Sequence, residues 1–143
     1  MDVRKQAHAT YRCEYHLVWT TKYRYKILTD GVVQYLEIKL EEVRKTYPDI
    51  IYLERSIQPD HVHLMVVIPP KYAVATAVQY MKQNTSRHLK EKFDFIKQRY
   101  SRIGSVWSIG YFASTVGLHE KVIQAYIRNQ EKEDAGQAQL ALL

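Results

Sequence analysis

The order of hydrophobic patterns predicts an α+β domain of ferredoxin-like, RRM-like βαββαβ build. Helices cover one face of an antiparallel sheet, and an added C-terminal helix carries a tyrosine. Three observations carry this expectation. Short runs rich in β-branched and aromatic residues alternate with longer stretches whose apolar residues recur every three or four positions. The second and third strands are separated only by Gln58-Pro59-Asp60, a turn too short for anything but an antiparallel hairpin. A last amphipathic stretch, holding Tyr126, follows the fourth strand.

Tyr11 to Thr21 reads as the first strand, and Thr29-Asp30-Gly31 as a turn and helix cap. Val33, Leu36, Leu40, Val43 and Tyr47 then mark an amphipathic helix stopped by Pro48. Ile50 to Ile57 and His61 to Ile68 are the hairpin strands, the latter ended by Pro69-Pro70. Val74, Val78, Met81, Thr85, Leu89, Phe93 and Ile96 fall on one long helix. Gly104 and Ser105 break the chain before a fourth strand, about Val106 to Val116, and Glu120 to Glu133 form the terminal helix. The whole chain, residues 1–143, is expected to be one domain with its core at about 11–133 and a loose tail at 134–143.

Bulk composition narrows the function. Hydrophobic residues make up 46%, enough for one core, and no apolar run approaches the ~20 residues that cross a bilayer. The polar start, Met1 to Thr10, resembles no secretory leader, so a soluble cytoplasmic protein without a membrane partner is expected. The lone Cys13 excludes an internal disulfide and a cysteine-based zinc site, and reads as a small buried hydrophobe. A net charge of +6 points to a polyanionic partner, and 12 tyrosines offer either stacking platforms for unpaired bases or ordinary core and sheet residues.

The stretch Asp60-His61-Val62-His63-Leu64 carries the most chemistry. Alternation on a strand sends His61 and His63 to one face and Val62 and Leu64 to the other. Two adjacent neutral imidazoles make a two-ligand metal clamp. The alternative is an accidental pair, with one histidine satisfied by a carboxylate. Tyr126 and Gln130, at i and i+4, share a helix face; alone, such a pair means packing and solvated surface. Lys22-Tyr23-Arg24-Tyr25-Lys26 alternates base and aromatic, fit to grip a DNA backbone or to end a strand in water. Lys82, Arg87, Lys90 and Lys92 form a basic helix face that either contacts DNA or is solvated. His16, His88 and His119 read as structural or surface groups.

These residues sit within a wider set. Glu14-Tyr15-His16-Leu17-Val18-Trp19, Lys22-Tyr23-Arg24, Pro59-Asp60-His61-Val62-His63-Leu64, Val106-Trp107, Gly110-Tyr111-Phe112, Thr115-Val116-Gly117 and Ile123-Gln124-Ala125-Tyr126-Ile127-Arg128-Asn129-Gln130 occur together and in order. In this the sequence resembles the single-tyrosine HUH transposases of small insertion sequences that move as single-stranded DNA, over roughly Tyr11 to Glu133. The resemblance implies that Tyr126 is the nucleophile, that His61, His63 and Gln130 hold a magnesium or manganese ion, and that the protein is a homodimer recognising DNA hairpins near element ends. It further implies cleavage and rejoining of single-stranded DNA through a covalent 5′-phosphotyrosine. No nucleotide cofactor is expected, since the link conserves the phosphodiester energy and no phosphate-binding glycine loop is present. Lys22, Tyr23, Arg24, Lys82 and Arg87 are the candidate DNA contacts. Two alternatives stand beside this reading: a REP-associated tyrosine transposase, which tends to carry extra basic C-terminal sequence, and a non-catalytic RRM-like nucleic-acid-binding module, which would place stacking aromatics on the open sheet face.

Overall fold

The computed structural model describes residues 3–6, 9–11, 13–101, 104–115 and 120–142. The N-terminus, read above only as polar chain, pairs β1 (Arg4–Gln6) with β2 (Ala9–Tyr11). Tyr11 therefore belongs to this small ribbon, and the expected first strand is the shorter β3 (Glu14–Thr20). A 3-10 turn at Lys22–Arg24 leads to α1 (Asp30–Glu42), capped at Thr29 as expected, although without a side-chain cap hydrogen bond. The hairpin of β4 (Ile51–Gln58) and β5 (His61–Val67) follows.

The long helix is two. α2 (Val74–Lys92) stops at Phe93, whose extended backbone (φ −117°, ψ 109°) separates it from α3 (Asp94–Tyr100). Neither proline nor glycine causes the break. Phe93 instead meets the edge of Tyr35 from α1 at 5.7 Å, and Ile96 and Tyr100 turn inward, so tertiary packing overrides the helical period. The fourth strand also shrinks. Only β6 (Phe112–Ser114) pairs regularly, while Val106 and Trp107 dip into the core and Gly110, at φ 89°, bends the chain between them. Trp107 donates its ring N–H to Thr85 Oγ1 at 3.0 Å and makes an isolated bridge to Thr21. The end of that expected strand, Val116, lies outside the described residues, as do Gly117 and His119.

The main sheet has the order β4-β5-β3-β6, antiparallel throughout. One face packs Leu17, Trp19, Val62, Leu64 and Val66 against Val32, Leu36 and Leu40 of α1 and Ala77, Val78, Met81 and Leu89 of α2. The other face is not wholly open. The terminal helix, α4 (Glu120–Leu142), lays Ile123 and Ile127 on Val18 and Phe112 there. It also runs past the expected end at Glu133: Asp134, placed above in a loose tail, is buried within it. Cys13 is half-exposed rather than buried. Among the described residues no helix is long and apolar enough to cross a membrane.

Truncation separates the two kinds of apolar position. Leu64→Ala removes a wholly buried side chain and should destabilise the protein by about 2–5 kcal/mol. Ile38→Ala, on the exposed side of α1, should change stability by no more than about 0.5 kcal/mol in the same urea titration.

Candidate nucleic-acid cleavage site

The β3–β5 register decides what lies together. Val18 stands opposite His63, Thr20 opposite His61, and directly opposed residues share a face. Leu17 and Trp19 face the core between α1 and α2, so Val18, Thr20, His61 and His63 face α4. On the far side of β5, Ser56 and Gln58 stand opposite His63 and His61. Glu54, Ser56, His63 and Met65 line a small cavity of about 110 Å³ there.

Each histidine has an identifiable neighbour. His61 Nδ1 lies 2.8 Å from Asp60 Oδ1. Burial raises the Asp60 carboxyl, but the hydrogen bond and charge of His61, and then the Arg24 guanidinium, outweigh it and hold the group below its ordinary value. An ionised Asp60 can only accept, so His61 Nδ1 carries the hydrogen and a neutral ring keeps its lone pair on Nε2. The carboxylate partner set out above as an alternative to metal binding is therefore present, and it is also the group that orients a metal-binding imidazole. His16 Nδ1 lies 3.4 Å from His63 Nε2, a long contact.

The tyrosine helix supplies the other half. Ile123, Tyr126, Ile127, Gln130 and Asp134 form its inward stripe. Tyr126 is half-buried, with its ring 5.7 Å from Phe112 in the cluster around Val18. Its hydroxyl is buried without a hydrogen-bond partner. Burial first, and then the Glu133 and Asp134 carboxylates, push this phenol well above its ordinary value of 10.0. Two turns on, Asp134 Oδ2 accepts from the Ser108 hydroxyl at 2.5 Å and from the Tyr23 backbone N–H at 3.0 Å. Ser108 Oγ also accepts from Thr20 Oγ1 at 2.9 Å. Gln130, buried and 3.3 Å from Glu133 Oε2 through its amide nitrogen, thus sits between a tyrosine packed over the partner of His63 and an aspartate anchored beside the partner of His61.

This geometry fits a divalent cation. Among the described residues no three His, Cys, Asp or Glu side chains gather as a metal group. Two neutral imidazoles with an amide oxygen such as that of Gln130 are a donor set that a divalent cation such as manganese accepts. The buried phenol hydroxyl of Tyr126, one helical turn before Gln130, has no hydrogen-bond partner of its own and could be satisfied by an incoming cation or substrate.

The basic candidates fare differently. Lys22 is buried, and Tyr23 packs at a tilt against Tyr25, which packs in turn against Tyr100. Arg24 pairs with Asp60 at 3.2 Å and with Glu131 at 3.0 Å. Lys82 gives its ammonium to the carbonyls of Ser108 (2.8 Å) and Gly110 (2.5 Å). Arg87 stays exposed, holding Asn84 at 2.9 Å beside a groove of about 440 Å³ shared with Gln83, Lys90 and Ser105. The sequence reading missed Asp134, hidden in the charged run Glu131-Lys132-Glu133-Asp134. Its spacing of four from Gln130 and eight from Tyr126 was the available signal. Asp60 was read only as part of a motif.

Comparison with known proteins identifies the family. The family model described as "Transposase IS200 like" matches residues 9–130. The chain belongs to the IS200-like transposase family. This transposase is 32% identical over 141 residues to the transposase of insertion sequence element IS200 from Salmonella typhimurium, covering 99% of this chain and 91% of that protein. It is 28% identical over 136 residues to the ISDra2 transposase TnpA of Deinococcus radiodurans, covering 94% and 95% of the two chains. A crystal structure of a Deinococcus radiodurans transposase superimposes on it with a TM-score of 0.79 at 31% identity, covering 89% of this chain and 97% of that one. The REP-associated tyrosine transposase bound to a REP hairpin shares the fold alone, with a TM-score of 0.55 at 10% identity over 85% of this chain and 68% of that one. The transposase is accordingly a DNA-processing enzyme.

Two predictions come from the buried polar groups. Tyr126→Phe removes an unpaired buried hydroxyl, so the DNA-free, metal-free variant should be about 1–2 kcal/mol more stable than the wild type in thermal unfolding. Burial lowers the Lys82 ammonium to about 8 from 10.5, against the opposing pull of Asp134. Between these values the unfolded chain binds more protons than the folded one, so this group makes stability rise with pH. Relative to Lys82→Met, the wild type should gain up to about 3 kcal/mol between pH 8 and 10.5 in urea titrations. Parallel pH profiles for the two proteins would show that the ammonium keeps its ordinary value.

Proposed function

We propose that this transposase cleaves and rejoins single-stranded DNA at insertion-sequence ends, with Tyr126 as nucleophile and a covalent 5′-phosphotyrosine as intermediate. The observation that carries the reading is the placement of a partnerless buried phenol on the helix laid over the strand paired with His61 and His63. His61, His63 and Gln130 would hold Mg²⁺ or Mn²⁺, with imidazole favouring manganese. When bound, the ion would polarise the scissile phosphate and stabilise a phenolate.

The chain's own residues do the rest. Asp60 holds the His61 ring in its Nδ1–H form. Phe112 and Ile127 keep water from the Tyr126 ring, and Asp134 pins the end of its helix. Tyr126 Oη attacks phosphorus as its phenol proton is released, the P–O3′ bond breaks, and the departing 3′-oxygen takes up a proton, leaving the proton count unchanged. The new P–O bond to tyrosine retains the phosphodiester energy, so a second 3′-hydroxyl can displace the tyrosine and join new ends.

The substrate we assign is a single strand bearing subterminal hairpins. The REP-associated relative was captured on a REP hairpin, and Arg87 beside its open groove is the best-presented of the candidate phosphate contacts. We further propose a homodimer working in the cytoplasm, where its DNA is. On the β4 side the sheet face beside His61 and His63 carries Glu54, Ser56, Gln58 and Met65, and the aromatic Phe112 on the other side is covered by Tyr126 of α4, which disfavours a purely RRM-like binding role.

The test uses 5′- and 3′-labelled hairpin oligonucleotides from the ends of the element, with and without manganese. A denaturation-resistant protein–DNA band should form, require the metal, and vanish in Tyr126→Phe while hairpin binding persists. His61→Ala and His63→Ala should each lower adduct yield by about two orders of magnitude through lost metal. A Tyr126→Phe protein that cuts as well as wild type would sink the assignment.

A further inference from the structure

An unbroken chain of polar contacts runs from the tyrosine helix to His61. Arg24 Nη1 donates to Glu131 Oε2 at 3.0 Å, while its Nε and Nη2 each lie 3.2 Å from Asp60 Oδ2. The other oxygen of Asp60, Oδ1, takes the His61 Nδ1 hydrogen at 2.8 Å. Glu131 is the residue next to Gln130. One guanidinium therefore touches both halves of the site at once.

The local backbone is arranged around this contact. Tyr23 and Arg24 both occupy the left-handed region, at φ 60° and 54°, which side-chain-bearing residues avoid. That conformation accompanies two attachments to α4: the Tyr23 N–H reaches Asp134, and the Arg24 side chain reaches Glu131. Such strain at consecutive residues persists only where the surroundings hold it. A planar fork can serve two carboxylates in fixed directions; a lysine ammonium can carry the charge but not the geometry.

We propose that Arg24 is a positioning residue of this transposase: by gripping Asp60 and Glu131 together it orients the His61 ring for metal and sets the tyrosine helix in register over the histidine pair. This rests on the proposed chemistry, and it replaces the expectation that Arg24 contacts DNA. The two roles differ in what they leave intact. A DNA contact sustains hairpin affinity, whereas a positioning residue sustains metal affinity and the rate of adduct formation.

The full chain is tested as wild type, Arg24→Lys, Arg24→Gln and Glu131→Gln. Manganese binding to DNA-free protein is read by electron paramagnetic resonance, hairpin binding in EDTA by fluorescence anisotropy, and adduct formation by single turnover at saturating manganese. The His61 tautomer is read by ¹⁵N NMR without metal. Wild type must first bind manganese in a His63-dependent manner and form a Tyr126-dependent adduct; failure there overturns the parent chemistry rather than the role of Arg24. Arg24→Lys and Arg24→Gln should weaken manganese binding about 10- to 100-fold and leave hairpin affinity within about twofold. The His61 Nδ1 signal should shift from protonated towards a tautomer mixture in Arg24→Gln. Glu131 is half-exposed and keeps the Arg24–Asp60 pair, so Glu131→Gln should fold, bind manganese normally and slow adduct formation about tenfold or more. Wild-type manganese affinity and adduct rate in Arg24→Lys would overturn the proposal. So would lost hairpin affinity with manganese affinity unchanged, which would make Arg24 a DNA contact. If Arg24→Gln does not fold, Arg24→Lys and Glu131→Gln decide.

Discussion

The pairing of β3 with β5 is the constraint on which everything else rests, because it serves the core and the site through opposite faces of the same residues' neighbours. Leu17, Trp19, Val62 and Leu64 are wholly buried on one side, while Val18, Thr20, His61 and His63 stand on the other. A slip of β5 by one residue would send its histidines into the core and Val62, Leu64 and Val66 out towards α4. The cost of that exchange lies in buried apolar area, so hydrophobic packing far from the chemistry fixes which way the imidazoles point. The site inherits its geometry from the core.

The second dependence is on how α4 is held. Ile123 and Ile127 give it a small apolar footing on Val18 and Phe112, while its position along the strand is set by polar contacts. Apolar contact is non-directional and tolerates sliding. Asp134 on Ser108 and Tyr23, and Glu131 on Arg24, are directional and do not. Under the proposed chemistry the helix has to present one phenol and one amide at a fixed height, which needs the second kind of contact, and it carries that kind at Glu131 and Asp134.

The legible and illegible parts of the sequence divide along the same line. The hairpin at Gln58-Pro59-Asp60, the facing of His61 and His63, and the amphipathic stripe of Ile123 and Ile127 follow from local periodicity, and the structure has them. What periodicity missed depended on distant partners. The break at Phe93 comes from Tyr35 on another helix, and the shortening of β6 from Val106 and Trp107 turning inward to the core. Asp134 looked like part of a solvated charge run because its partners, Ser108 and Tyr23, are 26 and 111 residues away. The segment at Lys22 points to DNA by its alternation of base and aromatic, and the helix face at Lys82 by its charge. Their engagement with Asp60, Glu131 and the carbonyls of Ser108 and Gly110 is invisible to any count of Lys and Arg.

The electrostatics of Tyr126 supply the last step. Burial disfavours its phenolate, and the carboxylates of Glu133 and Asp134 disfavour it further, so the protein alone holds the hydroxyl protonated and unreactive. The Arg24 guanidinium is engaged by Asp60 and Glu131. Under the proposed chemistry the missing positive charge must come from outside the chain, and neutral ligands such as two imidazoles and an amide would leave that charge undiminished at the phosphate and the phenol. A carboxylate ligand would bind a cation more tightly and neutralise part of what the reaction needs. Under that chemistry the same features that hold the phenol protonated would tie its activation to the arrival of metal and DNA together, as suits a nucleophile that must not react before its strand is in place.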